Sequence, residues 1–242
     1  MLSKLFILLR NMYYNRPMTI NIFNRSLYKR NFKRITPEVD FLYQLAAEIA
    51  LENIAMDENI LFYGHFPGAT VAMNINDYDE ESVPPKLSNY DCIASNLSLH
   101  FVNNVEKTLA DYKSHLNLGG KFIATFLGGN TLIELRKVLL ETDLQFFGGA
   151  AQRVIPMIDV KDAGRLLQKV GFKDPLSFCE KITVEYPSLL ALLRELKNMG
   201  QGNFLVSRDR RYLSKEYLKL AEKNYGKVNA TFEIITMIGR AK

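Results

Sequence analysis

A short apolar run that ends in small polar residues is the feature that most constrains this fold. Residues 92–94 (Cys-Ile-Ala) form the run, and Ser95 and Asn96 follow it directly. A run of this length is typical of a strand that is buried on both faces of a parallel sheet. Ligands of open parallel sheets bind outside the carboxyl ends of the strands. The sequence therefore predicts a site at Ser95 and Asn96; the alternative is a strand, a turn and a helix without chemistry.

Strand-like and helix-like segments alternate along the rest of the chain. Short apolar runs predict strands, and apolar residues at helical spacing predict amphipathic helices. The predicted strands cover residues 59–63, 70–75, 90–96, 121–127, 177–185 and 231–238. The predicted helices cover residues 39–56, 105–116, 159–170, 187–199 and 214–225, and one more follows residue 131. This alternation predicts an α/β fold.

Turn and cap residues predict where several of these helices begin and end. Gly119 and Gly120 are expected to end the helix that follows the central strand. Thr131 and Glu134 have the spacing of a helix capping box. The two glycines before Thr131 are expected to let a substrate pass close to the backbone, with a well-capped helix as the alternative. Residues 145–157 are expected to form a loop over the site.

The segment 90–104 resembles the fourth-strand motif of class I S-adenosylmethionine-dependent methyltransferases. The likeness is greatest to the branch of mitochondrial complex I assembly-factor methyltransferases and their bacterial relatives, with the biotin-pathway malonyl-carrier methyltransferase as a cousin. Further matching segments are residues 126–136, 159–164, 171–172, 186–189, 199–200 and 230–234. The resemblance covers residues 90–239 densely and residues 22–45 loosely.

This resemblance implies a fold, a cofactor and a partner. The fold would be α/β, a Rossmann-like class I methyltransferase fold with a shortened, mostly parallel sheet and added helices near the C-terminus. The cofactor would be S-adenosylmethionine, and the substrate would be a protein, such as a subunit of respiratory complex I. The location would be cytoplasmic in a bacterium, and the mitochondrial matrix or inner-membrane surface in a eukaryote.

The half of the chain that would hold the cofactor departs from the family pattern. Gly64 and Gly68 remain from the usual glycine-rich turn, and Pro67 between them lacks an amide donor. Tyr90 lies only 26 positions after Gly64, which is too few for two complete βα units of about 30 residues each. The first crossover helix and much of the second strand are therefore expected to be missing.

An acidic segment lies in this shortened region. Asp77, Asp79 and Glu80 resemble the family's acidic loop near the adenine, and an acidic surface loop is the alternative. The expected cofactor-binding residues are Gly64, Gly68, Asp77, Asp79, Glu80, Ser95 and Asn96.

His100 and Ser98 are the candidate catalytic residues, because they lie nearest the carboxyl end of the strand predicted over 90–96. Methyl transfer depends mainly on the alignment of the reacting groups. It requires a base only if the nucleophile must lose a proton. A structural role at a helix start is the alternative for His100.

The basic residues of the chain are concentrated at its start. Residues 1–37 hold eight basic residues and no acid, so that of a net charge of +5 the remaining body carries −3. This predicts a basic arm over 1–37 and a methyltransferase-like domain over 38–242, and it disfavours nucleic acid as a partner. The arm fits a transit peptide, a segment for peripheral membrane contact, or a translation start placed ahead of Met18.

Three other features limit the function classes. Two cysteines do not form a disulfide framework and indicate a reducing compartment, and three scattered histidines predict no metal site. Because the family-like residues lie almost wholly in the substrate half, a non-catalytic assembly factor with an eroded cofactor site competes with the methyltransferase. Oxidation of a protein arginine is a third hypothesis.

Overall fold

The computed structural model describes residues 21–35, 41–54, 59–67, 80–81 and 89–242. The helices of this part are α1 (Arg25–Phe32), α2 (Phe41–Leu51), α3 (Val105–Ser114), α4 (Ile133–Phe147), α5 (Val160–Val170), α6 (Leu189–Asn198) and α7 (Lys215–Tyr225). The strands are β1 (Ile60–Gly64), β2 (Tyr90–Asn96), β3 (Leu116–Leu127), β4 (Lys173–Glu185) and β5 (Asn229–Arg240). A short 3-10 turn (Leu99–Phe101) follows β2.

The five strands form one sheet in the order β1-β2-β3-β5-β4. The first three strands pair in parallel, and β5 pairs antiparallel with both β3 and β4. The strands predicted over 59–63, 90–96, 121–127 and 231–238 are consecutive neighbours in this order. The predicted α/β fold with a shortened, mostly parallel sheet and added helices near the C-terminus is confirmed. Among the described strands, β5 runs opposite to the other four.

Helices cover both faces of this sheet, and alternate residues of β5 show how. Phe232 and Ile234 pack into the core beneath α2, α4, α6 and α7. Ile235 and Met237 pack into the core beneath α3 and α5. Because successive side chains of a strand point to opposite faces, one strand contributes to both cores. This explains why the central strands are apolar runs without alternation.

The predicted helix end at Gly119 and Gly120 is wrong. Helix α3 ends at Ser114, and both glycines lie inside β3. The Ala241 amide donates to the Gly120 carbonyl at 2.8 Å, and the Gly119 amide donates to the Ala241 carbonyl at 3.1 Å. A Cβ on Gly120 would lie 2.8 Å from the Asn117 carbonyl oxygen. Gly120 therefore permits a close approach of backbones, and Gly119 has a left-handed φ of +77°.

The predicted capping box at Thr131 and Glu134 is also wrong. Helix α4 begins after Leu132, whose φ of +55° is left-handed, and no side chain caps this end. The Thr131 hydroxyl accepts from the Glu233 amide at 3.0 Å, and Glu134 accepts from the Thr231 amide at 3.1 Å. Both side chains therefore bind β5 instead of their own helix.

The two glycines before Thr131 do not form an open path for a substrate. A Cβ on Gly128 would lie 2.6 Å from Ile235 and from the Glu233 carboxylate. The Gly129 amide donates to the Ile158 carbonyl at 3.0 Å. These glycines permit close packing against β5 and against the loop before α5.

Other helix boundaries follow the predicted cap residues. Asp159 accepts from the Asp162 amide at the start of α5, and Gly171 ends that helix at φ +81°. Ser214 caps α7. Helix α4 extends to Phe147, so the loop predicted over 145–157 begins three residues later than its predicted start. None of the described helices has the length and apolar character needed to cross a membrane.

Part of the predicted basic arm packs on the body. Phe23 and Tyr28 are buried in a cluster with Phe101 and Phe204. Residues 1–17 and the predicted strand 70–75 lie outside the described residues. The domain boundary at residue 37 stays a prediction.

Candidate functional site

Asn96 lies fully buried at the carboxyl end of β2, and its side chain bonds inside the protein. Its Nδ2 donates to the Tyr43 carbonyl at 2.9 Å and to the His65 carbonyl at 2.7 Å. Its Oδ1 accepts from the Thr125 hydroxyl at 2.8 Å. Both amide hydrogens and the oxygen are therefore used to hold α2, the segment after β1, and β3 together.

Ser95 and Ser98 form a second buried contact at this strand end. Their hydroxyl oxygens lie 3.0 Å apart, and both side chains are inaccessible to solvent. Leu97 between them has a left-handed φ of +47°. This bend returns the chain on itself and brings the two hydroxyls together, so Ser98 lies among protein atoms.

Gly64 lies at the end of β1 directly against Asn96. Its φ is +91°, and a Cβ at this position would lie 2.1 Å from the Asn96 carbonyl oxygen. A glycine is required here because both the backbone conformation and the neighbouring strand exclude a side chain. Gly64 therefore permits the close approach of the Asn96 backbone.

Glu80 is buried and binds the N-terminal helix. Its carboxylate pairs with the Arg25 guanidinium and accepts from the Tyr28 hydroxyl at 3.4 Å. Its carbonyl oxygen accepts from the Tyr112 hydroxyl at 3.3 Å. Glu80 therefore joins α1 to α3. The other expected cofactor ligands of this segment, Asp77 and Asp79, lie outside the described residues, as does Gly68.

The described residues at the strand mouth do not by themselves fit an S-adenosylmethionine site. The hydrogen bonds of Asn96 join parts of the protein, Ser95 bonds to Ser98, and Gly64 is closed by the Asn96 backbone. The structure therefore brings Gly64, Ser95, Ser98 and Asn96 together, but as a packed strand end.

His100, in the turn that follows β2, begins a chain of hydrogen bonds. Its Nε2 lies 3.2 Å from Gln201 Oε1. Gln201 Nε2 donates to the Tyr43 hydroxyl at 2.8 Å, and that hydroxyl donates to the Met199 carbonyl at 3.1 Å. The chain ties the turn after β2 to α2 and to the segment after α6.

Burial determines the protonation states in this chain. It lowers the pKa of His100 to about 4, although the Gln201 hydrogen bond opposes the shift. It also raises the pKa of Tyr43. At neutral pH the imidazole is therefore uncharged and the phenol keeps its proton.

His100 and its partner Gln201 each line a cavity. The first, which we call the His100 cavity, measures about 280 Å³ and is lined by Ile22, Phe23, Leu99, His100, Val102, Asn103, Val105, Phe126, Pro156, Met157, Ile158 and Met237. The second, the Gln201 cavity, measures about 250 Å³ and includes Leu127, Leu132, Leu135, Arg153, Ile155, Met157, Leu196 and Gln201. Met157 lines both. These sizes suit a side chain or a small group.

The loop that carries Met157 is held by a buried ion pair. Arg153 donates to Asp143 at 2.7 and 2.8 Å, and the Asp143 side chain is inaccessible to solvent. The Tyr217 hydroxyl donates to Asp143 at 2.9 Å. Burial, with this hydrogen bond, raises the pKa of Tyr217 to about 12. The loop is therefore fixed to α4 and α7, and its residues line both cavities. Its predicted position over the site stays a prediction.

Sequence reasoning missed Tyr43 and Gln201. Gln201 directly follows the segment 199–200, which matches the family, so its position offered a signal. Tyr43 is the next residue after Leu42 of the helical apolar pattern. Its partner Gln201 is 158 residues away, and spacing within one helix cannot reveal such a contact.

Comparison with known proteins finds relatives in the families that the sequence resembles. The chain is 36% identical over 160 residues to "Arginine-hydroxylase NDUFAF5, mitochondrial" of Dictyostelium discoideum, which covers 62% of this chain and 36% of that protein. It is 28% identical over 191 residues to "Putative methyltransferase RP459" of Rickettsia prowazekii, with 78% and 83% covered. It is 29% identical over 163 residues to a malonyl-[acyl-carrier protein] O-methyltransferase of Laribacter hongkongensis, with 65% and 53% covered. No protein-family model matches the chain.

The sheet defines an α/β protein, and the chain resembles proteins of the class I methyltransferase type. Within that class, the resemblance to the branch of complex I assembly factors and malonyl-carrier methyltransferases is confirmed. The chain spans between about a third and half of the length of the NDUFAF5 proteins that it matches.

Proposed function

We propose that this chain is an S-adenosylmethionine-dependent methyltransferase-like protein that acts on a protein of respiratory complex I, by modifying it or by chaperoning it. One observation carries the proposal. The two cavities and the buried His100–Gln201 contact lie in the half of the fold that keeps the family-like segments. That half offers a shaped, apolar surface for a substrate.

In the modifying form, bound S-adenosylmethionine would supply the methyl group. His100 is then a substrate-positioning group, because an imidazole with a pKa of about 4 is a weak proton acceptor at neutral pH. Its neutral ring remains a good hydrogen-bond acceptor. Ser98 supports the turn that carries His100. The expected cofactor contacts of Asp77, Asp79, Glu80 and Gly68 stay part of this proposal.

The second candidate is the non-catalytic assembly factor, and the packing at the strand mouth favours it. The side chains expected at the cofactor are used in bonds within the protein: Asn96 joins three elements and Glu80 pairs with Arg25. In this form the protein binds its complex I partner through the cavities and transfers no group.

The proposed location follows the relatives and the charge distribution. Mitochondrial NDUFAF5 proteins support the mitochondrial matrix or inner-membrane surface if the chain is eukaryotic, and the cytoplasm if it is bacterial. The basic arm over 1–37 supports a peripheral contact with an anionic membrane. The mildly acidic body supports a protein partner over nucleic acid.

Calorimetric titration with S-adenosylmethionine and S-adenosylhomocysteine separates the two candidates. Losing two hydrogen bonds to the ligand, each worth about 1.5–3 kcal/mol, would weaken a micromolar ligand by about two to four decades. We expect a dissociation constant above ~100 μM. A constant near ~1 μM that is abolished by Asp79→Ala and kept in the exposed control Asp111→Ala would establish the cofactor-dependent enzyme.

The complex I assignment is tested in cells. Loss of the gene is expected to lower the amount of assembled complex I on native gels, and the wild-type chain is expected to restore it. Normal complex I levels in cells without the gene would overturn the assignment, whatever the cofactor titration shows.

A further inference from the structure

Strand β4 lies at one edge of the sheet. The order β1-β2-β3-β5-β4 places it last, and among the described strands it pairs with β5 alone. Over residues 176–185 this pairing runs without a register shift. The outer side of an edge strand carries a row of backbone groups that can pair with another chain. Strand β4 therefore offers a surface on which a further strand can add.

The hydrogen bonds of β5 show which backbone groups of β4 point outward. The Glu233 carbonyl accepts from the Gly128 amide, just past the end of β3, at 2.8 Å, so the odd-numbered residues of β5 face β3. Its even-numbered residues therefore face β4, where the register pairs them with even-numbered residues. The Tyr186 amide continues this ladder by donating to the Val228 carbonyl at 2.8 Å. The residues of β4 that direct their N–H and C=O groups away from the sheet are Ser177, Cys179, Lys181, Thr183 and Glu185.

The start of β4 is protected against edge pairing, whereas the rest is open. The register shifts between Lys173 and Leu176, and Pro175 lies within this irregularity. Bulges and prolines are common devices that prevent a further strand from adding to an edge. Residues 176–185 contain neither. Among the described residues, the outward groups of this regular part have no backbone partner.

The side chains of the open part are complementary to a second copy of themselves in one antiparallel register. When Thr183 lies opposite Thr183 of the second copy, Lys181 lies opposite Glu185 on both sides of the two-fold axis. On the other face of the sheet, Ile182 then lies opposite Val184. Threonine pairs, opposite charges and β-branched pairs all stabilise neighbouring strands. A register centred on Lys181 would instead place two lysines opposite each other, which is destabilising.

The two charged residues of this register are accessible to a partner. The side chains of Lys181 and Glu185 are 56% and 63% exposed. Within the chain, Lys181 lies 3.6 Å from Glu233, and Glu185 lies 2.8 Å from Lys227. Exposed ion pairs of this kind contribute little to stability. A second copy would therefore add an opposite charge to each pair without removing a strong contact.

We propose that β4 pairs antiparallel with β4 of a second copy of this chain across a two-fold axis centred on Thr183, which joins the two sheets into one. The free backbone groups of Lys181, Thr183 and Glu185 supply the hydrogen bonds, and the side-chain pairs set the register. The contact is the same on both copies, so it closes as a dimer and covers the open edge. The dimer does not depend on the proposed function.

The charge pairs are tested by sedimentation equilibrium of the purified full chain. We expect a mass of twice the chain's 27.7 kDa. Lys181→Glu and Glu185→Lys are each expected to weaken association at least ~10-fold, because each places like charges opposite one another. A mixture of these two variants is expected to restore association, since every contact between them then joins a glutamate and a lysine. The control Lys173→Glu, outside the paired part, should associate like the wild type.

Three results of this experiment would overturn the proposal. The first is a wild-type chain that stays monomeric at ~100 μM, a concentration at which even a weak specific dimer is populated. The second is a dimer that both charge variants leave unchanged. The third is a mixture of the two variants that associates no better than either variant alone.

Backbone pairing is tested at Thr183. Thr183→Pro removes an outward N–H that β5 does not use, so we expect a folded monomer. Thr183→Val keeps this N–H and is expected to stay dimeric. Circular dichroism checks the fold of both, and the charge variants carry the test if Thr183→Pro does not fold. A folded Thr183→Pro variant that associates like Thr183→Val would overturn the pairing.

The register is tested by cross-linking in a Cys179→Ser background. Opposed residues of a hydrogen-bonded pair have Cα atoms about 5.5 Å apart, which a disulfide can bridge. Under mild oxidation, Thr183→Cys is expected to form a disulfide-linked dimer faster than Lys181→Cys. The reverse order would overturn the register centred on Thr183.

The outcomes separate this inference from the proposed function. A dimer of the expected kind, with normal complex I levels in cells without the gene, would overturn the complex I assignment and leave the dimer. A monomeric chain would overturn the dimer and leave the complex I assignment. If, in addition, Thr183→Pro failed to restore complex I where Thr183→Val restores it, a strand of another protein would replace the second copy on β4.

Discussion

At the scale of single residues, the surroundings of His100 determine its protonation state, and the surroundings of Gly64 determine which residue can stand there. His100 is a neutral imidazole because burial disfavours its charged form. Gly64 is a glycine because its backbone conformation and its contact with Asn96 both exclude a side chain. Each makes a prediction that a substitution can test.

Stability is expected to fall at acidic pH through His100. Its pKa is about 4 in the folded protein and about 6.5 when exposed, so between these values the unfolded chain binds more protons. Stability therefore decreases as the pH falls from about 6.5 to 4, by up to about 3 kcal/mol. Urea unfolding at several pH values should show this slope in the wild type and a smaller slope in His100→Phe. Identical pH dependence in both proteins would contradict the prediction.

Gly64→Ala is expected to be far more destabilising than Gly148→Ala. Both glycines have positive φ values, +91° and +69°. A Cβ would lie 2.1 Å from the Asn96 carbonyl oxygen at position 64, and no atom lies within 4 Å of it at position 148. Backbone strain alone costs about 1–2 kcal/mol, and the clash should raise the loss at position 64 above ~3 kcal/mol. Denaturant unfolding of the two variants measures the difference; similar losses would show that β1 and β2 separate easily.

At the scale of elements, one ion pair holds the loop between α4 and α5. Asp143 on α4 binds Arg153 on the loop and the hydroxyl of Tyr217 on α7. The same loop carries Met157, which lines both cavities. The shape of the cavities therefore depends on this contact.

Asp143→Asn is expected to destabilise the fold by about 3–5 kcal/mol, because it leaves a largely buried Arg153 without its counter-ion. The matched control is Asp111→Asn. Asp111 pairs with Lys107 on the surface of α3, and its loss should cost less than ~1 kcal/mol. Thermal unfolding compares the two variants. A small loss at Asp143 would mean that the loop is held by its apolar contacts.

At the scale of the whole molecule, the N-terminal helix is part of the folded body. Helix α1 buries Tyr28 against Phe32, Phe101 and Phe204. Arg25 on the same helix pairs with Glu80 and donates to the Phe101 carbonyl at 2.9 Å. The basic helix α1 is therefore attached to the body through buried aromatic side chains, next to the His100 cavity.

Tyr28→Ala is expected to destabilise the protein by about 3 kcal/mol, because it removes a fully buried ring. Arg30→Ala on the exposed face of α1 is the control and should stay within ~0.5 kcal/mol. Both are measured by denaturant unfolding. If Tyr28→Ala had no effect, α1 would be an appendage and not a part of the core.

The sequence by itself determined the order and type of most elements. The apolar runs of β1, β2, β3 and β5 and the caps at Asp159 and Ser214 are local patterns, because burial on a sheet and capping of a helix depend on residues a few positions apart. The missing elements before Tyr90 and the site at the end of β2 stay predictions.

Only the tertiary structure decided which partners the polar residues take. Thr131 and Glu134 have the spacing of a capping box, yet they bond to residues 102 and 97 positions away on β5. Asn96 is used by three neighbouring elements, and His100 is oriented by Gln201 through a bond that spans 101 positions. A hydrogen bond depends on distances in space, and donors and acceptors that far apart in the chain meet only once the sheet and its helices have packed.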